Sequence, residues 1–213
     1  VGKWDENDFG NAVASRWPIK DREVTRLPSG TREENRCAVA TSIEAPFGDL
    51  CFVSTHLNWK LHDSESREAQ VQALSELVLA RRPRVGFPPI VVGDFNAEPD
   101  SSEIRFMRGY QTLSGKSTMF SDAWGVTGDH TEPGTTWSNR NAYASIALEP
   151  ERRIDYIFAG YPIRMTAQHG VGKIESCRVV CDDEVDGVWP SDHFGVYAEF
   201  RTDPLPRPGW TMG

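Results

Sequence analysis

The chain has 213 residues, of which 38% are hydrophobic and 10% aromatic, and its formal net charge is −8. These values are typical of one globular domain, or at most two small ones, and exclude a disordered chain. No apolar run approaches the 18 residues of a membrane-spanning helix, so we expect no membrane span. Because an acidic chain gains little from counterion release, a long nucleic acid is not a favoured partner.

The first half of the sequence predicts strands and one long helix. Residues 1–10 are polar and predict a loop, and strand-like segments follow at 11–19, 37–43 and 50–57. The last two are joined by a turn with Pro and Gly, which predicts an antiparallel hairpin. Residues 64–82 form the predicted helix, with Ser64 or Ser66 as its N-cap and an apolar face of Ala69, Ala73, Leu74, Leu77 and Val78.

The second half predicts more short strands and little helix. We expect a short helix at 101–109 and a loop over 112–150 with one helical turn at most. Strands are predicted at 88–92, 153–158, 164–169, 175–181 and 194–201. Many short strands with one or two outer helices predict an α+β, two-layer β-sandwich domain over residues 1–202. Residues 203–213 are a Pro/Gly-rich tail.

The four cysteines contain no CxxC pair, which argues against a structural zinc site. Cys37 and Cys51 stand in apolar runs and are expected to be reduced and buried. Cys177 and Cys181 could form a disulfide, and the sequence leaves this open. No signal-peptide pattern is visible, so we expect a cytoplasmic protein.

Several predicted strands end in residues that can bind metals or move protons. In the segment 90–96, Asp94 and Asn96 point to the same side because side chains alternate along a strand. Gly93 would allow another group to approach the backbone closely. The alternative is a strand that ends in a turn, where Asp94 and Asn96 bond only their own backbone.

The other strand ends carry an aspartate or a histidine. Asp155 stands between apolar neighbours, where a carboxylate is costly unless it is paired or bound to a cation. An ion pair with Arg152 or Arg153 is the alternative. Asp192 and His193 stand together before a strand, and a carboxylate that contacts a histidine fixes its tautomer. A surface Asp–His pair would be commoner for that dipeptide alone.

His56 ends the strand at 50–57, where a lone histidine is more often structural than catalytic. The convergence of these residue types at strand ends nevertheless favours a shared site. Oxygen ligands from Asp and Asn suit Mg²⁺ or Mn²⁺. Such a cation polarises a phosphoryl oxygen, so the pattern predicts metal-dependent phosphoester hydrolysis.

Five segments also resemble, in the same order, motifs of the endonuclease/exonuclease/phosphatase superfamily. They are GNAVASRWPI at 10–19, THL at 55–57, GDFN at 93–96, RIDYIF at 153–158 and SDH at 191–193. The superfamily includes deoxyribonuclease-I-like nucleases, inositol-phosphate phosphatases, sphingomyelinases and deadenylases. The resemblance covers about residues 10–201 of the chain.

The resemblance implies a four-layered α/β sandwich of two packed, mostly antiparallel β-sheets flanked by helices, with the site at one end. Asp94 would orient or deprotonate the attacking water, and Asn96 would hold this water or the phosphate. Asp155 would bond to His193, which would contact the scissile phosphate.

The resemblance also implies that Asp192 helps to bind Mg²⁺ or Mn²⁺ and that His56 contacts the phosphate from the opposite side. Arg36 is a candidate for phosphate binding, and a strand-bracing role is its alternative. Asn58 and Asn141 are candidate substrate-binding residues in loops near the expected mouth.

Arg67 and Gln70 match an RxxQ pattern on the helix that follows THL. We interpret both as structural residues that brace this helix.

The chain departs from the family pattern at its start. The family usually opens with a strand carrying an Asn, a helix, and a strand ending in Gln-Glu, whose Glu is a main metal ligand. Here the following motif already stands at residue 10, so we expect the usual first strands to be missing. An N-terminal segment that is not part of this sequence is therefore an expected partner.

The sequence-based prediction is a phosphodiesterase or phosphatase in which water attacks phosphorus without a covalent intermediate. A nuclease acting on DNA or RNA is one alternative. A catalytically impaired fragment or binding module is another, because the metal-binding Glu is absent. The acidic charge slightly favours a small-molecule or lipid phosphoester over nucleic acid.

Overall fold

The structure, a computed structural model, describes residues 2–3, 10–29, 35–84, 86–161 and 170–206. Its strands are β1 (Gly2–Lys3), β2 (Gly10–Asn11), β3 (Ile19–Arg26), β4 (Cys37–Ala45), β5 (Gly48–His56), β6 (Ile90–Asp94), β7 (Ser121–Asp122), β8 (Asp155–Ala159), β9 (Ile174–Val180) and β10 (Gly195–Phe200). Its α-helices are α1 (Ser64–Arg81), α2 (Ser102–Met107) and α3 (Ala123–Thr127), and Ser145–Ala147 form one 3₁₀ turn.

A six-stranded sheet forms the centre of the molecule, in the order β3-β4-β5-β6-β8-β7. Only β5 and β6 pair in parallel, and the other neighbours are antiparallel. The predicted hairpin is confirmed as β4 and β5. Strands β9 and β10 form a separate antiparallel pair, and β1 and β2 pair with each other.

Both faces of the six-stranded sheet are covered by apolar packing. On one face, Val91 and Phe158 pack with Leu74 of α1 and Ile104 of α2. On the other face, a second buried cluster joins the sheet to the β9–β10 pair; it includes Ile43, Leu50, Ile90, Ile174 and Cys177. The α/β sandwich of two packed, mostly antiparallel sheets is therefore confirmed.

The start of α1 differs from the prediction. Asp63, not Ser64 or Ser66, is the N-cap, and its side chain accepts a hydrogen bond from the Ser66 backbone N–H. A carboxylate at this position also interacts favourably with the positive end of the helix dipole. The buried face is more polar than expected, because it includes Arg67 and Gln70 beside Val71, Leu74 and Val78.

The predicted strand at 11–19 is wrong. Only Gly10–Asn11 are in a strand there, and the edge strand β3 begins at Ile19 and ends at Arg26. Its sequence, IKDREVTR, is mostly charged and its side chains are almost all exposed, so it lacks the alternation that indicates a strand. Pairing with β4 stabilises it instead. The predicted strand at 164–169 lies outside the described residues.

Gly93 permits the close contact between β5 and β6. A Cβ atom at this position would lie 1.9 Å from the Thr55 carbonyl oxygen, and Gly93 has φ +145°. Any side chain would therefore push apart the two parallel strands whose ends carry His56 and Asp94. The expected close approach at Gly93 is present.

Cys37, Cys51, Cys177 and Cys181 are all free thiols, so the possible pair between the last two does not form. Cys37, Cys51 and Cys177 are buried and Cys181 is exposed. None of the helices in the described part of the chain combines the length and the apolar character needed to cross a bilayer.

A buried ion pair joins helices α1 and α2. Arg67 Nε lies 2.8 Å from Glu103 Oε1, and both side chains are almost fully buried. The Arg67 guanidinium also donates to the carbonyl of Lys60. The predicted structural role of Arg67 agrees with these contacts.

We predict that Arg67→Ala lowers the free energy of unfolding by about 3–5 kcal/mol, because the Glu103 carboxylate would remain buried without its partner. Urea unfolding would measure the change. Lys116→Ala is the matched control, because it removes an exposed ion pair with Glu76 and is expected to cost less than about 1 kcal/mol. Equal effects of the two substitutions would contradict a structural role of the buried pair.

Candidate active site

Three neighbouring strands of the six-stranded sheet bring their polar ends to one place. His56, the last residue of β5, pairs in register with Asp94, the last residue of β6. Asp94 also pairs with Asp155, the first residue of β8. Because β8 runs opposite to β6, its start lies beside the end of β6. The sheet thus places one histidine and two carboxylates along a single edge.

His193 approaches this edge from the loop before β10. Its Nδ1 lies 2.8 Å from Asp155 Oδ2, and its Nε2 lies 3.9 Å from Asp94 Oδ2. The Trp137 ring and the imidazole pack edge to face, with 4.9 Å between ring centroids. The histidine therefore joins the second sheet to both carboxylates of the first.

Asp155 is available to His193 because the neighbouring arginines are engaged elsewhere. Arg153 forms a buried pair with Asp122, with 2.8 Å between Nη2 and Oδ2. Arg152 pairs with Glu149. The alternative in which Asp155 pairs with one of these arginines does not occur.

The environment of His193 favours its charged form. Burial alone would lower the pKa of the imidazole, but the hydrogen bond and charge of Asp155, with the charges of Asp94 and Asp192, raise it to about 9. At neutral pH His193 is therefore a cation that donates Nδ1–H to Asp155 and directs Nε2–H toward Asp94.

Asp94 and Asn96 share a tight turn after β6. The Asn96 backbone N–H donates to Asp94 Oδ1 at 2.7 Å, and the Asn96 amide donates to Asp94 Oδ2 at 3.2 Å. Asn96 has φ +49° and also donates to the Leu57 carbonyl. Phe95 points into the core, as strand alternation predicts. Asp94 and Asn96 therefore bond to each other within a turn, as in the alternative interpretation, and also line the candidate site.

The two remaining titratable groups at the edge shift in opposite directions. Burial and the negative charge of Asp155 raise the pKa of Asp94 well above its usual range. Burial, together with the positive charges of Arg36 and His193, lowers the pKa of His56 to about 3. His56 Nε2 lies 3.3 Å from Asp94 Oδ2, and the low pKa of His56 makes this a contact between a carboxyl group and a neutral imidazole.

These groups open into a cavity of about 260 Å³. It is lined by Arg36, His56, Trp59, Asp94, Asn96, Trp137, Glu149, Arg152, Ile154, Asp192 and His193. Arg36 is buried, and its charge acts on both His56 and Asp94. The Arg36 guanidinium and the protonated His193 make the cavity suitable for a phosphate group.

The two candidate asparagines lie outside the cavity lining. Asn58 is fully buried, and its amide bonds to Asp63 and to the Lys60 N–H. Asn141 is also fully buried, and its Nδ2 donates to the Ser191 carbonyl at 2.8 Å. Both asparagines therefore hold loops that border the site, and their amides face protein groups.

Besides the apolar Ile154, four lining residues were missed by sequence reasoning: Trp59, Trp137, Glu149 and Arg152. Trp59 lies between β5 and α1, and the other three lie in the long segment between α3 and β8. Such loop residues show no strand-end pattern, so sequence periodicity could not distinguish them from other surface residues.

The chemistry of the donor atoms fits a divalent cation. Among the described residues, ligand atoms of Asp94, Asp155 and His193 lie within 4.8 Å of one another. Asp192, exposed and also lining the cavity, adds a further carboxylate. Hard carboxylate oxygens of this kind suit Mg²⁺ or Mn²⁺ better than soft metals.

A profile of the Endonuclease/Exonuclease/phosphatase family matches residues 2–193. The chain belongs to this family. The matched range contains every strand-end residue of the site, so these residues belong to the part of the chain that the family shares.

Curated relatives include nocturnins from several vertebrates. The Xenopus laevis protein is 25% identical over 192 residues, which are 88% of this chain and 47% of that protein. The Homo sapiens protein is 23% identical over 204 residues, covering 88% of this chain and 42% of the relative. The chain thus spans less than half the length of these relatives.

Solved structures show the same fold. Truncated Caenorhabditis elegans TDP2 superposes with a TM-score of 0.63 and 16% identity, covering 88% of this chain and 68% of that one. D. rerio TDP2, solved with a single strand DNA product, gives 0.62 and 17% over 84% and 67%. The human Nocturnin catalytic domain, solved with a sulfate anion, gives 0.54 and 22% over 86% and 61%.

We predict that Asp155→Asn lowers the pKa of His193 from about 9 toward its ordinary 6.5, because the neighbouring negative charge is lost. An NMR titration of the imidazole carbon-bound protons would measure this shift. Asp129→Asn, which changes an exposed carboxylate in a loop away from the cavity, is the control and should leave the titration unchanged. An unchanged His193 pKa in Asp155→Asn would show that the two residues are not coupled.

Proposed function

We propose that this protein is a divalent-metal-dependent phosphoester hydrolase in which water attacks phosphorus directly, without a covalent intermediate. The observation that carries the proposal is the arrangement of Asp94, His193 and Asp155 beside buried Arg36 in one cavity. Membership of the Endonuclease/Exonuclease/phosphatase family supports it.

The residues at the strand ends have complementary tasks in this proposal. Asp94, whose pKa is raised, is suited to accept a proton from the attacking water, and Asn96 holds its carboxylate in place. Protonated His193 faces the phosphate and stabilises the charge that develops on its oxygens. Arg36 adds a second positive charge, and neutral His56 can donate a hydrogen bond from the β5 side.

The preferred cofactor is Mg²⁺, with Mn²⁺ as the alternative. Asp192 would hold the cation, and the other cavity carboxylates would contribute to its binding. A bound divalent cation would polarise a phosphoryl oxygen and stabilise the leaving oxygen. Burial and the repulsion from Asp155, which together raise the pKa of Asp94, fit a site that accepts added positive charge.

A nuclease remains the second candidate. The structure of D. rerio TDP2 with a single strand DNA product shows that this fold holds a nucleic-acid strand in that protein. The preference for a small-molecule or lipid phosphoester rests on the net charge of −8 alone. We therefore propose a phosphodiester substrate. A substrate panel will identify the two groups that its phosphate joins.

We predict that the protein hydrolyses bis(p-nitrophenyl) phosphate with Mg²⁺ or Mn²⁺ and that EDTA abolishes this activity. His193→Ala should lower kcat/KM by at least about a hundredfold, because the group that stabilises the phosphate charge is lost. Release of p-nitrophenol measures both effects. His130→Ala, in an exposed loop, is the control and should retain the wild-type rate.

The substrate panel comprises single-stranded DNA, RNA, inositol phosphates and sphingomyelin. Cleavage of any member that depends on the added metal and on His193 supports the hydrolase. If neither the aryl ester nor any panel member is turned over, the protein is a catalytically impaired module and the proposal fails.

A further inference from the structure

The segment 57–63, between β5 and α1, borders the cavity. Buried polar side chains on its interior side hold it in place. The Arg67 guanidinium donates to the carbonyl of Lys60 at 2.6 Å and to that of Leu61 at 3.3 Å. The same side chain is fixed by its buried ion pair with Glu103. One charged side chain thus fixes the backbone of this segment at successive residues.

Two amides complete the support of this segment. The Asn58 backbone N–H donates to Gln70 Oε1 at 2.9 Å, and Gln70 Nε2 donates to the Pro28 carbonyl at 2.9 Å. The Asn58 side chain bonds to Asp63 and to the Lys60 N–H. Since Asn58 and Gln70 are both fully buried, the loop conformation is set by the protein interior.

This rigid segment presents a large aromatic side chain to the cavity. Trp59 is 52% exposed and lines the cavity together with His56 and Asp94. In the described part of the chain, its ring makes no stacking, cation–π or hydrogen-bond contact. A tryptophan that lines the cavity on a fixed backbone offers a flat apolar face and a polar N–H to a bound partner.

The position of Trp59 relative to the catalytic edge follows from the strand order. Trp59 follows β5, which lies on one side of β6, whereas β8 and the Trp137 segment that bonds to Arg152 lie on the other. Asp94 at the end of β6 lies between them. A phosphate over Asp94 would therefore have an aromatic ring beside it on the β5 side.

We propose that Trp59 stacks on the base of a nucleotide whose phosphate lies over Asp94 and His193, so that the protein acts on nucleotide-containing phosphoesters. This inference rests on the proposed function. Every nucleobase offers a flat π-face, and stacking on an aromatic side chain strengthens binding without selecting one base. A fixed loop makes the platform effective, because little backbone freedom is lost on binding.

A membrane is the other partner that an exposed tryptophan could meet. Leu61 in the same segment is also exposed, at 49%, and both side chains could enter a lipid interface. Only Trp59, however, lines the cavity, and Leu61 does not. These observations favour the nucleobase.

The test compares adenosine 5′-monophosphate with ribose 5-phosphate, which lacks the base, in EDTA so that no turnover occurs. NMR titration of ¹⁵N-labelled protein gives both dissociation constants. Wild type should bind the nucleotide about tenfold more tightly than ribose 5-phosphate, the scale expected for one stacked base. Trp59→Ala should remove this difference, and Trp59→Phe should keep most of it.

Leu61→Ala is the matched control, because it removes an exposed apolar side chain from the same segment and should keep the tenfold difference. Circular dichroism and thermal unfolding would show that each variant is folded. Wild type that shows no preference for the nucleotide, or no binding of either compound, overturns the inference. So does a Trp59→Ala variant that keeps the preference or weakens both ligands equally.

Sedimentation with vesicles of phosphatidylcholine and phosphatidylserine decides the membrane alternative. Vesicle binding that depends on both Trp59 and Leu61 would overturn the inference in favour of a lipid surface. Absence of vesicle binding supports it. The nucleotide preference is measured without hydrolysis, so a failure of the stacking inference and a failure of the hydrolase proposal give different results.

Discussion

The hydrogen bond between His193 and Asp155 is the interaction on which the site depends, because it joins the two sheets. Thr136 sets its geometry from both sides. The Thr136 hydroxyl accepts the backbone N–H groups of Ile154 and Asp155, and its carbonyl accepts the N–H of Phe194. One buried residue thus fixes the backbone next to both partners. The histidine reaches the carboxylate only because the β-sandwich brings these loops together.

The electrostatics of the edge follow from placing several charges in a poorly solvated space. Burial raises the pKa of Asp94 and lowers that of His56, whereas the adjacent carboxylates raise the pKa of His193. Each group is shifted partly by the others, so no single charge can be removed without changing its neighbours. Because of these shifts, the two groups that the fold holds within 4 Å of each other are a weak base, Asp94, and a cation, His193, near neutral pH. This combination is useful for hydrolysis and costly for stability, as is common at functional sites.

The sequence predicted the strand ends well because alternation and buried apolar runs leave a strong pattern. Asp94 and Asp155 stand at the ends of such runs, and their meeting follows from strand pairing. The charged edge strand β3 has no such pattern, since pairing with β4 and ion pairs from Asp21 and Glu23 to Arg81 hold it in place. Asn58 shows a different limit of sequence-based prediction. An asparagine in a loop looks the same in sequence whether its amide binds a substrate or holds the loop backbone. Trp59 was missed for the converse reason, since exposed and packed tryptophans look alike in sequence.

The buried polar network under the cavity explains why a fold would retain a costly ion pair between two helices. Burying Arg67 and Glu103 sacrifices hydration of both charges, and well-packed apolar side chains would often be as stable. Apolar replacements could not donate to the carbonyls of Lys60 and Leu61, which lie in a segment without regular structure. The network therefore fixes the loop geometry more than it adds stability. Because that loop carries Trp59 to the cavity, the packing of α1 against α2 determines where a substrate ring can stack.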